Sequence, residues 1–121
     1  MNCLKRYDTG RILLQMDVRF IRDYPEGNII YQIVGNRVVD YATKRSVYEI
    51  VDHLHIRDCR TGNIIWYVTQ DQVRGYTTGR VEATFDKNYI REGTTGTIFY
   101  QMEGRLSRQR IMMYLAIVLS S

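Results

Sequence analysis

One recurrence constrains this chain more than any other feature. The turn residues Gly10, Gly27, Lys44, Gly62, Gly79 and Gly96 fall 17, 17, 18, 17 and 17 residues apart. Thr precedes five of them, at Thr9, Thr43, Thr61, Thr78 and Thr95, and Glu26 precedes the other. A fixed period of this length marks a repeated supersecondary unit. Six units reach from the start of the sequence to about Glu103.

Each unit reads as a β-hairpin. An aliphatic residue stands six positions before every turn residue: Leu4, Ile21, Val38, Ile56, Val73 and Ile90. After the turn, the second, fourth and sixth positions are apolar almost throughout, as in Ile29, Tyr31 and Ile33 or Ile64, Trp66 and Val68; Ser46 departs. A period of two puts these residues on one face of a strand. The segment "PEG" at 25–27 suits a type I turn closed by a left-handed Gly, which predicts a three-residue loop. Lys44 must adopt that geometry with a Cβ, at a cost of roughly 1 kcal/mol.

A three-residue loop sets the register. It places Lys5 opposite Leu13, Arg22 opposite Ile30, Val39 opposite Val47, Arg57 opposite Ile65, Arg74 opposite Glu82 and Arg91 opposite Phe99. It also pairs Tyr7 with Arg11, Tyr24 with Asn28, Tyr41 with Arg45 and Tyr76 with Arg80. Arg74 and Glu82 are then expected to form an ion pair. Leu13, Ile30, Val47, Ile65 and Phe99 would form an outward apolar ring, a surface for homo-oligomer contacts.

The repeat stops after Glu103, and "LSRQRIMMYLAIVLSS" carries helix signals, with Ser107 as N-cap. From Ile111 to Leu119 such a helix is apolar on every side, so it must be buried on every side. Twelve strands at about 4.8 Å spacing and a tilt near 40° close at a backbone radius of roughly 12 Å. With inward side chains in place, the bore matches a helix about 10–12 Å across. The expected fold is therefore all-β: six 17-residue hairpins forming a closed twelve-stranded barrel, with the C-terminal helix as its central plug. The alternatives are a helix capping one open end or packing into a dimer partner. The organisation is one domain over 1–121, with hairpins over 1–103 and the helix segment over 104–121.

This combination resembles the tubby C-terminal-like fold, which includes the LURP-one and phospholipid scramblase families. The segments "FIRDYPEGNIIYQI" (20–33) and "HIRDCRTGNIIWYV" (55–68) are similar to LURP-one hairpins. Short stretches also resemble bacterial β-flower hairpin repeats, although a four-fold flower does not match six units. The resemblance implies a barrel around a hydrophobic C-terminal helix. Some tubby-like members bind phosphoinositide lipids, but no local motif here carries their binding residues across.

The chemistry is sparse. The net charge of +4 and pI of about 9.2 permit anionic partners without requiring them. Cys3 and Cys59 sit in no redox or metal spacing and are expected as free thiols, in keeping with a cytoplasmic chain. No signal peptide is expected, and the nine-residue apolar run at 111–119 is too short to span a bilayer. His53 and His55 alternate on a predicted strand with no convincing third ligand, so no metal or other cofactor is expected. Asp23, Asp40, Asp58 and Glu92 share one repeat position, which ties them to hydrogen bonding near the turn. No catalytic constellation remains, and an enzyme is not expected.

Two basic features are left. Lys5, Arg22, Arg57, Arg74 and Arg91 share one position in five of the six units, forming either an anion-facing belt or stems covering apolar neighbours. Arg105, Arg108 and Arg110 crowd the helix start, where the dipole already carries positive charge. That placement suggests an anion-binding site. The expectation is a non-enzymatic binding module for a lipid headgroup, a nucleic acid or an acidic protein surface. The alternative is a structural, oligomer-forming protein using the apolar ring.

Overall fold

The computed structural model describes residues 2–120. Twelve strands occupy β1 (Asn2–Arg6), β2 (Ile12–Met16), β3 (Phe20–Asp23), β4 (Ile29–Val34), β5 (Arg37–Asp40), β6 (Ser46–Val51), β7 (His55–Asp58), β8 (Asn63–Val68), β9 (Gln72–Gly75), β10 (Val81–Phe85), β11 (Tyr89–Glu92) and β12 (Ile98–Glu103), and α1 follows at Arg108–Leu119. Each strand pairs antiparallel with its neighbours in sequence, and β1 pairs with β12 to close the barrel. Closure leaves no open sheet edge.

The aliphatic face predicted by the period of two is the buried one. Leu4 pairs with Leu14, Ile21 with Tyr31, Val38 with Tyr48, Ile56 with Trp66, Val73 with Ala83 and Ile90 with Tyr100. Nearer the loops the expected register fails by one residue. Lys5 pairs with Ile12, Arg22 with Ile29, Val39 with Ser46, Arg57 with Ile64, Arg74 with Val81 and Arg91 with Ile98. The loops hold four residues, not three. Thus Arg6 N–H bonds Arg11 O at 2.9 Å and Gly10 N–H bonds Arg6 O at 2.9 Å, and Asp40 is joined in the same way to Arg45 and Lys44 at 2.8 Å. The Tyr7–Arg11 and Tyr41–Arg45 pairs are therefore not formed. Gly75 N–H likewise bonds Arg80 O, and Asp23 N–H bonds Asn28 O, displacing Tyr76 and Tyr24.

The extra loop residue is absorbed by a β-bulge at Leu13, Ile30, Val47, Ile65, Glu82 and Phe99, which restores the register further from the turn. Side chains at the base of the loop stabilise the wider turn. Asp40 Oδ1 accepts from the N–H groups of Ala42 and Thr43, and Glu92 Oε2 accepts from those of Thr94 and Thr95. The Thr before the turn residue accepts in turn: Thr9, Thr43, Thr61, Thr78 and Thr95 each take the N–H two residues on, at 3.2–3.3 Å. Lys44 adopts the left-handed conformation at φ 62°.

Ser107 caps α1, its Oγ accepting from Arg110 N–H at 3.3 Å. The helix begins at Arg108, four residues after the start of the segment assigned to it from sequence. Ile111 to Ala116 are buried and join a single core with strand residues including Leu4, Met16, Ile21, Ile56, Val73 and Met102. Burial of Ile111, Met112, Met113 and Leu115 stabilises by about 1.5–3 kcal/mol each relative to exposure. The last turn, Ile117 to Leu119, is only half-buried. No described helix is long and apolar enough to cross a membrane.

Candidate functional site

The up-and-down topology gives the barrel two unlike rims. The four-residue loops lie at one rim and the shorter connections between hairpins at the other. The first turn of α1 sits at the connection rim, and its side chains reach outward to backbone carbonyls there. Arg110 Nη1–H bonds Asp17 O at 2.5 Å and Nη2–H bonds Val18 O at 2.8 Å. Gln109 Nε2–H bonds Gly35 O at 3.0 Å. Arg108 Nε–H bonds His53 O at 3.0 Å, and its Nη2 donates to Val68 O and Thr69 O at 3.0 Å. Three consecutive residues, about 100° apart around the helix, thereby tie it to four successive connections. The guanidinium donors of Arg108 and Arg110 face protein carbonyls, and the two side chains diverge. Arg105 is exposed and has no bonded partner among the described residues; with Arg110, Asp17 and Val18 it lines an open depression. Burial pushes the Asp17 carboxyl up, but the N–H groups of Arg19 and Phe20 and the Arg22 and Arg110 charges outweigh it and hold the group low.

The basic belt is similarly engaged. Lys5 pairs with Glu103 at 2.7 Å, Arg57 with Glu49 at 2.8 Å, Arg22 with Asp17 at 3.7 Å and Arg91 with Asp86 at 3.9 Å. Arg74 donates to Gly79 O at 3.0 Å and Gln72 Oε1 at 2.9 Å, and forms no ion pair with Glu82. The apolar ring is also altered by the bulge. Leu13, Ile30, Val47 and Ile65 are half-buried against the core, and only Phe99, 49% exposed, stands clear.

The remaining polar groups do not converge on a reaction centre. His53 lies in the β6–β7 connection at φ 57° and 56° for Asp52 and His53, so it is not on a strand with His55. His55 packs against Tyr67 and Tyr76, with ring centroids 5.2 and 5.7 Å away. Its Nδ1 is buried without a hydrogen-bond partner among the described residues. Cys3 and Cys59 are free, and burial pushes both thiols up. No group of three or more metal-ligating side chains occurs among the described residues.

The outer wall near the loop rim carries an arrangement that the sequence reading missed. Tyr7, Tyr41 and Tyr76 each open a four-residue loop, three before the turn residue. Each donates its N–H to the bulged residue of the preceding hairpin: Phe99 O at 2.9 Å, Ile30 O at 3.0 Å and Ile65 O at 2.9 Å. Each ring meets an aromatic side chain of that hairpin: Tyr89 at 5.8 Å, Phe20 at 6.1 Å and His55 at 5.7 Å. The N–H bond recurs at Cys59 and Gly93, which bond Val47 O at 2.9 Å and Glu82 O at 3.2 Å, so it is the ring contacts alone that divide the wall into three sectors of four strands each. The signal was present in alternate units, where Tyr–x–Thr–Gly/Lys–Arg recurs at 7–11, 41–45 and 76–80.

Two grooves occupy corresponding places in this pattern. One, about 340 Å³, is lined by Arg6, Asp8, Thr97, Ile98, Phe99 and Tyr100. The other, about 490 Å³, is lined by Asn63, Ile64, Ile65, Tyr76 and Thr77. Each lies between a bulged strand and the next loop, and combines an apolar floor with a polar edge. Comparison of the chain with family models, curated proteins and solved structures found no match.

Proposed function

We propose that this protein is a non-enzymatic binding module that meets its partner on the outer wall of the barrel, beside the loop rim. In this reading the chain is six copies of one hairpin closed around α1 as a central plug, a rigid scaffold for surface sites. What supports the plug is the complete burial of Met112, Tyr114, Leu115 and Ala116 among inward residues from strands all round the barrel. Strand number and the C-terminal helix support kinship with the tubby-like families. The single observation that carries the binding role is the pair of corresponding grooves floored by Phe99 and Ile98 and by Ile64 and Ile65. An anionic partner is supported less, because the donors of Arg108 and Arg110 are taken up within the chain.

The test uses matched baits: the natural chain and a Tyr76→Ser, Phe99→Ser variant, both shown to melt at the same temperature. A partner held by the first and lost by the second supports the groove reading. Equal retention of every captured protein overturns it. Self-association is the second reading, favoured by Val18, Val34 and Leu54, which are 78%, 50% and 40% exposed at the connection rim. A monomer at every concentration in sedimentation equilibrium removes it.

A further inference from the structure

The three sectors differ in one respect. In the sector of Tyr41, the turn residue is Lys44, and its Nζ lies 3.5 Å from the Tyr41 ring centroid. In the other two sectors the turn residue is Gly10 or Gly79. The backbone is the same at all three, with φ 62°, 70° and 69° for Lys44, Gly10 and Gly79. A Cβ built on Gly10 or Gly79 meets nothing within 4 Å, so the Cβ position that Lys44 fills is open at both turns. Those rings are 47% and 52% exposed, against 37% for Tyr41.

We infer that Tyr7 and Tyr76 are two receptor sites for the ammonium group of a partner polypeptide's lysine, and that Lys44 fills the third, equivalent site from within the chain. The physical basis is the negative face of the tyrosine ring, which attracts a cation held above it. This wall uses the same contact elsewhere: Arg22 lies over Phe20 and Arg91 over Tyr89, each 5.4 Å from the ring centroid. No cation covers Tyr7 or Tyr76 among the described residues. Arg11 and Arg80 follow the open turns, but they do not bar the sites. Arg45 holds the same position after Lys44, and the Lys44 ammonium still sits on its ring. Glu82 adds a favourable charge in the Tyr76 sector, with Oε1 3.6 Å from a Cβ built on Gly75 at the base of that loop.

The inference rests on the outer-wall binding role and gives it a chemistry. Each contact alone is weak, about two- to five-fold in affinity. Two sites a third of the barrel apart, roughly 25–30 Å from the barrel dimensions, make a bivalent partner effective.

The experiment follows tyrosine ring resonances by NMR while tetramethylammonium chloride replaces sodium chloride at constant ionic strength. Tyr7 and Tyr76 are expected to shift at least two-fold more than Tyr41, whose ring already holds the Lys44 ammonium. Lys44→Gly should bring Tyr41 up to their response. Gly79→Lys should silence Tyr76 alone, while Gly79→Asn, which accepts the same backbone without a cation, should not. A Tyr7 and Tyr76 response no larger than that of Tyr41, or a Tyr41 unaffected by Lys44→Gly, overturns the sites. A peptide with two lysines able to span the rings should bind about ten-fold tighter than its single-lysine form. Equal affinities overturn the polypeptide source and leave a free ammonium compound as ligand. If the ammonium sites fail while the matched baits still differ, the outer-wall role stands without this chemistry.

Discussion

Arg110→Met separates two readings of the helix-start arginines by sign. If Arg110 is a clamp, the substitution removes its bonds to Asp17 O and Val18 O. Bonds from a charged donor contribute about 1.5–3 kcal/mol each, and the low end suits a half-buried guanidinium at a wet rim. The gross loss is then about 3 kcal/mol. Against it stands the relief of a cation beside the positive end of α1, about 0.3–1 kcal/mol. Met keeps an apolar stem and similar rotamer freedom, so packing and side-chain entropy nearly cancel. The net expectation is destabilisation by about 2 kcal/mol. In urea, with a slope of about 1–3 kcal/mol/M, the midpoint should fall by about 1 M. If the arginine is a solvated charge awaiting an anion, Met should instead raise stability by a few tenths of a kcal/mol. An unchanged or raised midpoint refutes the clamp.

Three further outcomes are expected. Leu115→Ala should cost about 2–5 kcal/mol by urea unfolding, because Leu115 is 0% exposed and its neighbours cannot all collapse into the space. Glu92 is lowered from 4.5 to about 2, first by the Thr94 hydroxyl and then by the Thr94 and Thr95 N–H groups and the Thr95 hydroxyl. Its contribution to stability is therefore present above pH 4.5 and lost as pH falls towards 2, and Thr94→Val with Thr95→Val should move its NMR titration back up. Tyr114 is pushed well above its usual value of 10.0, by burial first and then by the Cys3 charge, and its hydroxyl donates to Asn2 Oδ1 at 2.7 Å. Because its unfolded form ionises first, stability should fall as pH rises past 10.0, and Tyr114→Phe should remove that part of the alkaline loss, at a cost of about 1 kcal/mol at neutral pH.

How much was legible in the sequence depends on the range of the contact. The Leu4–Leu14 and Ile56–Trp66 pairs follow from a period of two on either side of a turn, which is local information. The bulge at Leu13 or Ile65 does not. A left-handed residue can close a three- or a four-residue loop, and the bulge restores the same outer register in either case, so the apolar pattern reads alike. The acids at 23, 40, 58 and 92 were legible as turn residues because their partners lie within five positions. The partners of Arg108 and Arg110 were not. A carbonyl has no sequence signature, and Asp17 O is 93 positions from Arg110. Charge placement alone therefore suggested an external anion where the fold supplies internal acceptors. Tyr7, Tyr41 and Tyr76 stand out in the alternate Tyr–x–Thr–Gly/Lys–Arg units, but the rings they meet, Tyr89, Phe20 and His55, lie in other units and leave no local signature.

The order of elements along the chain has a consequence for synthesis. All strand pairings but one join sequence neighbours, so hairpins can form as they leave the ribosome. The exception, β1 with β12, matches Leu4 to Met102. The core that both strands share also needs Met112 to Ala116, which are made later still. At about 5–20 residues per second, the inward faces of the early hairpins wait on the order of 5–20 s for the segment that covers them. During that interval the nascent chain presents apolar strands with free edges, the features that chaperones bind and that drive aggregation. Ribosome stalling between β12 and α1 should accordingly be more harmful to yield than stalling anywhere within the first few strands.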